Sequence, residues 1–152
     1  MRVDHRVRAI LLDQENRLVL IRREKVGVPT YYVAPGGGVE SYDASYHAAL
    51  HREMREELGG TIEIGNLVYI SESMRGYDLR VRQLYYVCRL LSFDLSRRNG
   101  PEFSDPSRGK FHMEPVPLLP TSLERLRILS EDLKLFLIIN AFKLADLPEV
   151  AL

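Results

Sequence analysis

At 152 residues the chain is sized for one domain and is long enough to bury a core without cross-links. Its 21 Lys+Arg match its 21 Asp+Glu, so no broad positive field draws a nucleic-acid polymer, and 45% apolar residues argue against disorder. A single cysteine excludes an internal disulfide. The longest apolar run, Leu135 to Ile139, is far below the roughly 20 residues of a membrane span. Ala9 to Leu12 is likewise shorter than the roughly seven apolar residues of a secretory signal. The expectation is a cytoplasmic protein without a membrane partner.

In chain order, Val7 to Asp13 and Leu18 to Ile21 read as strands joined by the turn-forming Asp13 to Asn16, with Arg22 and Arg23 ending the hairpin. Val26 to Thr30 reads as a loop and Tyr31 to Ala34 as a short strand. Gly36, Gly37 and Gly38 are excluded from the interior of either kind of element. Ser45 to Leu58 lacks Gly and Pro and stops at Gly59-Gly60, which predicts a helix with Asp43 or Ser45 as its cap. Thr61 to Ile64, Leu67 to Ser71 and Arg80 to Leu91 read as strands. Arg97 to Lys110, interrupted by Gly100, Pro101, Pro106 and Gly109, reads as an exposed loop long enough to carry function. Phe111 to Leu119 reads as a last strand, confined to an edge by Pro115 and Pro117. Thr121 or Ser122 caps a short helix, and Ser130 opens a longer one to about Leu144. Its apolar run predicts either deep burial or a subunit contact, hence a possible homodimer. The pattern is a mixed α/β domain over residues 1–152.

Chemistry concentrates on the first helix. Glu53, Glu56 and Glu57 stand at i, i+3 and i+4, within a sector of about 100° on one face. Arg52 is four residues before Glu56, placed to orient it, while Leu50, Met54 and Leu58 form an adjacent apolar stripe. Such a face is on its own commonly a solvated one. Beside a glycine-rich loop it points instead to a hard cation, with Mg²⁺ holding a phosphate-bearing substrate. The four histidines show no zinc spacing, Cys88 reads as core, and the glycines form neither a P-loop nor a dinucleotide fingerprint.

Gly38, Arg52, Glu53, Met54, Glu56, Glu57 and Gly59 stand at the offsets of the pattern G-x5-E-x7-R-E-U-x-E-E-x-G-U, U being bulky and aliphatic. A chance match to its fixed positions is on the order of 10⁻⁷ per site. The chain therefore resembles the Nudix family, with the box at 38–60. It departs twice: Ala44 stands where the pattern has its first Glu, for which Asp43, one residue earlier, would stand in if the loop before the helix carries one extra residue, and Gly60 stands at the last aliphatic position.

The resemblance implies an α/β/α sandwich with a mixed central sheet and a loop-helix-loop box. It implies hydrolysis of a nucleoside diphosphate linked to another moiety, using Mg²⁺ or Mn²⁺. Glu53, Glu56 and Glu57 would hold the cation, with a carbonyl from Gly37 or Gly38, and Arg52 would orient them. Glu53, Glu57, Glu102 and Glu114 remain alternatives for the general base. Arg22 and Arg23 are candidates for the substrate phosphates, Gly36 to Gly38 for the phosphate loop, and Tyr31 or Tyr32 for stacking on a base. Tyr77 stands at an offset associated with dinucleoside polyphosphates, whereas the proline associated with ADP-ribose is missing. The short chain favours a MutT-like nucleoside triphosphate hydrolase over a dinucleoside polyphosphate, nucleotide-sugar or ADP-ribose enzyme. A non-catalytic nucleotide sensor is the alternative of another class. With zero net charge, the metal is expected to supply much of the positive charge at the site.

Overall fold

The computed structural model describes residues 1–152. One seven-stranded sheet is built from β1 (Arg2–Leu12), β2 (Leu18–Lys25), β3 (Val28–Val33), β4 (Gly36–Gly38), β5 (Thr61–Arg75), β6 (Leu79–Ser92) and β7 (Lys110–Val116). Its main path runs β3-β2-β1-β6-β5, with β4 added to β1 and β7 to β2. β1 runs parallel to β6, and the other pairings are antiparallel, so the sheet is mixed. Helix α1 (Tyr46–Leu58) packs on one face through Leu50, Met54 and Leu58, against Val7, Leu11 and Leu84. Helices α2 (Pro120–Glu124) and α3 (Glu131–Ile139) pack on the other through Leu123, Leu133 and Leu137, against Ile10, Leu20 and Tyr85. This is the expected α/β/α sandwich. No helix is long and apolar enough to cross a membrane.

The site depends on a fork in the sheet. β1 and β2 pair only at Leu11–Val19 and Leu12–Leu18. Beyond that point they part: β1 takes β4 as its neighbour at Arg6 to Arg8, and β2 takes β3 from Ile21 onward. The groove described below lies between the two arms.

Several elements differ from their expected bounds. β2 does not end at Arg22 and Arg23 but continues to Lys25, because β3 and β7 pair on either side of it. β3 begins at Val28, inside the expected loop. Gly36 to Gly38, excluded from any element by their composition, form a strand through backbone pairing with β1, which needs no side chains. β5 is one strand rather than two; bulges around Gly65 and Asn66 absorb the residues that read as a break. β7 is an edge strand, which accommodates Pro115.

Ser45, not Asp43, caps α1, its Oγ accepting from Ala48 N at 3.0 Å. α2 starts at Pro120 with Leu119 as its cap residue, rather than at Thr121 or Ser122. α3 stops at Ile139, short of Leu144: both the backbone N–H and the side-chain amide of Asn140 donate to Phe136 O. Nor is α3 buried all round. Leu133 and Leu137 face the sheet, while Leu135, Ile139 and the following Phe142 are exposed.

Candidate active site

A groove of about 650 Å³ opens at the fork. Arg6 and Arg8 of β1, Gly36 and Gly37 of β4, Glu53 and Glu57 of α1, and Ile21, Arg23 and Lys25 of β2 line it. Tyr31 and Val33 of β3, Arg75 of β5, Glu102, Arg108 and Phe111 complete the lining. Six cationic side chains therefore face three carboxylates.

The helix and the glycine strand are tied together at this point. Gly36 N donates to Glu57 Oε2 at 2.8 Å. An added Cβ on Gly37 would stand 2.5 Å from Glu53 Oε1, so only a residue without a side chain leaves that carboxylate where it is. Arg52 lies behind, with Nε and Nη2 donating to the two carboxylate oxygens of Asp43 at 2.9 and 2.8 Å. Its Nη2 also donates to Gly38 O at 2.9 Å, and its Nη1 to Glu53 Oε1 and Glu56 Oε2 at 3.1 and 3.2 Å. One guanidinium thus fixes the loop before the helix and orients two of the three glutamates. These bonds hold Asp43 below, and Arg52 above, their ordinary pKa ranges.

Burial has the opposite effect on the groove acids. It pushes Glu53 up, against the attraction of Arg52 and with the repulsion of Glu56. Burial and the neighbouring Glu53 charge push Glu57 well above the usual carboxylate range, with Arg8 opposing. Two partly buried, mutually repelling carboxylates are the groups a cation would relieve, and an oxygen-only donor set suits a hard cation. No three His, Cys, Asp or Glu side chains converge as a ready-made ligand cage, however. Glu53 and Glu56 are turned to Arg52, and Glu57 to Gly36. Among the three glycine carbonyls, Arg8 takes that of Gly36 and Arg52 that of Gly38, and neither engages that of Gly37.

The two-residue period of the strands sorts the remaining candidates. Ile21, Arg23 and Lys25 point into the groove. Arg22 does not; it pairs with Glu114 at 2.5 Å and Glu24 at 3.2 Å. Tyr31 lines the groove, whereas Tyr32 packs beneath the other face. Glu114 is thereby removed from the site, while Glu102 lines it and engages in no hydrogen bond or ion pair. Tyr77 sits fully exposed on the β5–β6 turn, outside the groove. Arg23 stacks on Phe111, 3.6 Å from the ring centroid, and donates to Arg108 O.

Sequence reasoning missed Arg6, Arg8, Lys25, Arg75 and Arg108 in the groove. Arg6 and Arg8 carried a signal, cations at i and i+2 in an apolar strand; Arg75 and Arg108 carried none. Beside whatever charge a bound metal would bring, the protein itself lines the groove with six cationic side chains.

The sequence pattern of the NUDIX domain matches residues 4–121. The chain belongs to the Nudix family. No curated protein is significantly similar in sequence. Among solved structures, a NUDIX hydrolase from Nitrosomonas europaea is similar with a TM-score of 0.66 at 17% identity, over 97% of this chain and 93% of that one. A MutT protein from Methanosarcina mazei Go1 gives 0.64 at 16%, over 93% and 96%. An ADP-ribose pyrophosphatase from Streptococcus suis gives 0.61 at 20%, over 96% of each. These likenesses establish the Nudix fold. Family membership makes the chain a hydrolase of the pyrophosphatase type, acting on nucleotide derivatives.

Proposed function

We propose that this Nudix protein hydrolyses nucleoside triphosphates in the cytoplasm, using Mg²⁺ or Mn²⁺. The observation that carries this reading is the groove itself, where partly buried Glu53 and Glu57 face a wall of cations suited to a polyphosphate. Glu53, Glu56, Glu57 and the Gly37 carbonyl are the proposed metal ligands, after the carboxylates turn from Arg52 and Gly36. A bound cation supplies charge to the pyrophosphate oxygens and lowers the pKa of the attacking water. Arg52 keeps its grip on Asp43 and Gly38, so the loop holds its course while the glutamates reorient. Arg23, Lys25 and Arg75 bind phosphate oxygens, and Tyr31 offers its ring to the base. Glu102 is the proposed proton acceptor, because its carboxylate alone among the groove acids has no partner to give up.

The test is product analysis with Mg²⁺ over nucleoside triphosphates, dinucleoside polyphosphates, nucleotide sugars and ADP-ribose, for wild type and Glu57→Gln. Pyrophosphate release from a triphosphate, abolished by Glu57→Gln and by chelation, is the expected result. Turnover untouched by the substitution would overturn the metal site. Preferred cleavage of ADP-ribose would transfer the substrate assignment to the class named in the Streptococcus suis neighbour. Tight nucleotide binding with no turnover of any compound would replace the enzyme by a sensor.

A further inference from the structure

The segment between β6 and β7 brings Glu102 and Arg108 to the groove without a helix or strand of its own. It is three short 3-10 turns, Leu95–Arg97, Pro101–Ser104 and Pro106–Arg108, none with a buried residue. A segment with so little burial keeps one course only where another part of the molecule ties it down.

Arg98 makes that tie. Its Nε donates to the carbonyl of Glu57 at 2.7 Å, at the end of α1 where helix carbonyls lack partners. Its Nη1 donates to the carbonyl of Phe111 at 3.0 Å, on β7. Its guanidinium carbon lies 4.8 Å from the ring centroid of Phe103, and that ring packs edge-on against Phe111 at 5.3 Å. The next two backbone N–H groups, of Asn99 and Gly100, both donate to Glu56 O, at 3.2 and 3.3 Å. An added Cβ on Gly100 would stand 2.5 Å from Glu102 Oε1, so the glutamate folds back over the glycine. Arg98 makes no ion pair and does not line the groove.

We propose that Arg98 is a positioning residue: by joining α1, β7 and the turn at Pro101–Ser104, it sets the Glu102 carboxylate beside Glu53 and Glu57. The proposal rests on Glu102 being the proton acceptor of the reaction above. Arginine suits the task because its planar fork donates in two fixed directions at once. Lysine at this position keeps the charge and loses the fork.

The test pairs Arg98→Lys and Glu102→Gln in a kinetic double-mutant cycle, using the best substrate of the panel with Mg²⁺. Amide exchange over residues 98–104 is measured on the metal-free, substrate-free chain. Glu102→Gln is expected to lower kcat about 100-fold and Arg98→Lys about 10-fold or more, with KM nearly unchanged. The double variant falls no lower than Glu102→Gln alone, and exchange over 98–104 quickens in Arg98→Lys. Losses that multiply, an unchanged kcat in Arg98→Lys, or unchanged exchange would each overturn the proposal. If Glu102→Gln itself turns over normally, the proton-acceptor reading falls, and exchange alone then decides whether Arg98 fixes the segment. Should Arg98→Lys fail to fold, Arg98→Gln, which keeps one donor, takes its place in every arm.

Discussion

Gly37 and Arg52 show how single residues shape the groove without lending it a reactive side chain. Gly37 leaves space that the Glu53 carboxylate occupies, and Arg52 holds Asp43, Gly38, Glu53 and Glu56 through one side chain. Replacing Gly37 by Ala keeps every reactive group and displaces one of them. Activity is expected to fall about 100-fold, as for a misplacement near 1 Å. The melting temperature should stay close to that of the wild type, because the glutamate moves rather than the core. Wild-type kcat in Gly37→Ala would show that Glu53 is not held where the reaction needs it. These roles were legible in part: the box spacing named Arg52 and Glu53, and the glycine run named the loop. Asp43 stands out in the sequence as the substitute for the missing box Glu, but that its partner is Arg52 depends on the turn between β4 and α1 and was not legible.

At the scale of elements, α3 and the β1–β2 turn give two contrasting expectations. Leu135 and Leu137 are two residues apart on one helix; Leu137 is buried against the sheet and Leu135 is exposed. Leu137→Ala is expected to cost about 2–5 kcal/mol, and Leu135→Ala less than about 0.5 kcal/mol, in urea unfolding. Equal losses would mean that a partner covers the outer face of α3.

In the turn, Asp13 accepts from the backbone N–H groups of Glu15 and Arg17, each at 2.9 Å, and from Arg17 Nε at 2.8 Å. Burial raises its pKa, but these bonds outweigh burial and hold the carboxyl below its ordinary value. The stabilisation is therefore full above the unfolded value of about 3.9 and is lost as pH falls through the lower folded value. Unfolding from pH 7 to pH 3 should show Asp13→Asn less stable than wild type by a constant amount down to about pH 4, with the gap closing below. A gap that widens on acidification would contradict the sign.

Across the whole molecule, zero net charge conceals a sorted surface. The fork collects six cationic side chains from β1, β2, β5 and the β6–β7 segment; only Arg6 and Arg108 pair with a carboxylate, and Lys25 and Arg75 have neither an ion pair nor a side-chain hydrogen bond. A polyphosphate approaching the groove meets a local positive field although the protein carries no overall one. Raising ionic strength from about 0.05 to 0.3 M should lower kcat/KM, through screening at distances near the Debye length. The double variant Lys25→Ala with Arg75→Ala should lose most of that salt dependence. An equal slope in both proteins would locate the attraction elsewhere.

The sequence by itself determined whatever depends on residues near one another along the chain. The box helix, its end at Gly59 and the face shared by Glu53, Glu56 and Glu57 follow from spacing and periodicity, and the sandwich is what the family resemblance carried by that box implies. Only the tertiary structure decided which arm of each candidate pair enters the groove. Arg23 and Tyr31 enter while Arg22 and Tyr32 do not, because a strand sends successive side chains to opposite faces and the fork lies on one of them. Glu114 is spent on Arg22 for the same reason carried across the β2–β7 pairing, whereas Glu102 enters from the 3-10 turn at Pro101–Ser104. The cations that line the groove come from segments as far apart as Arg6 and Arg108. Their meeting is a property of how the sheet splits, and no local pattern in the chain encodes it.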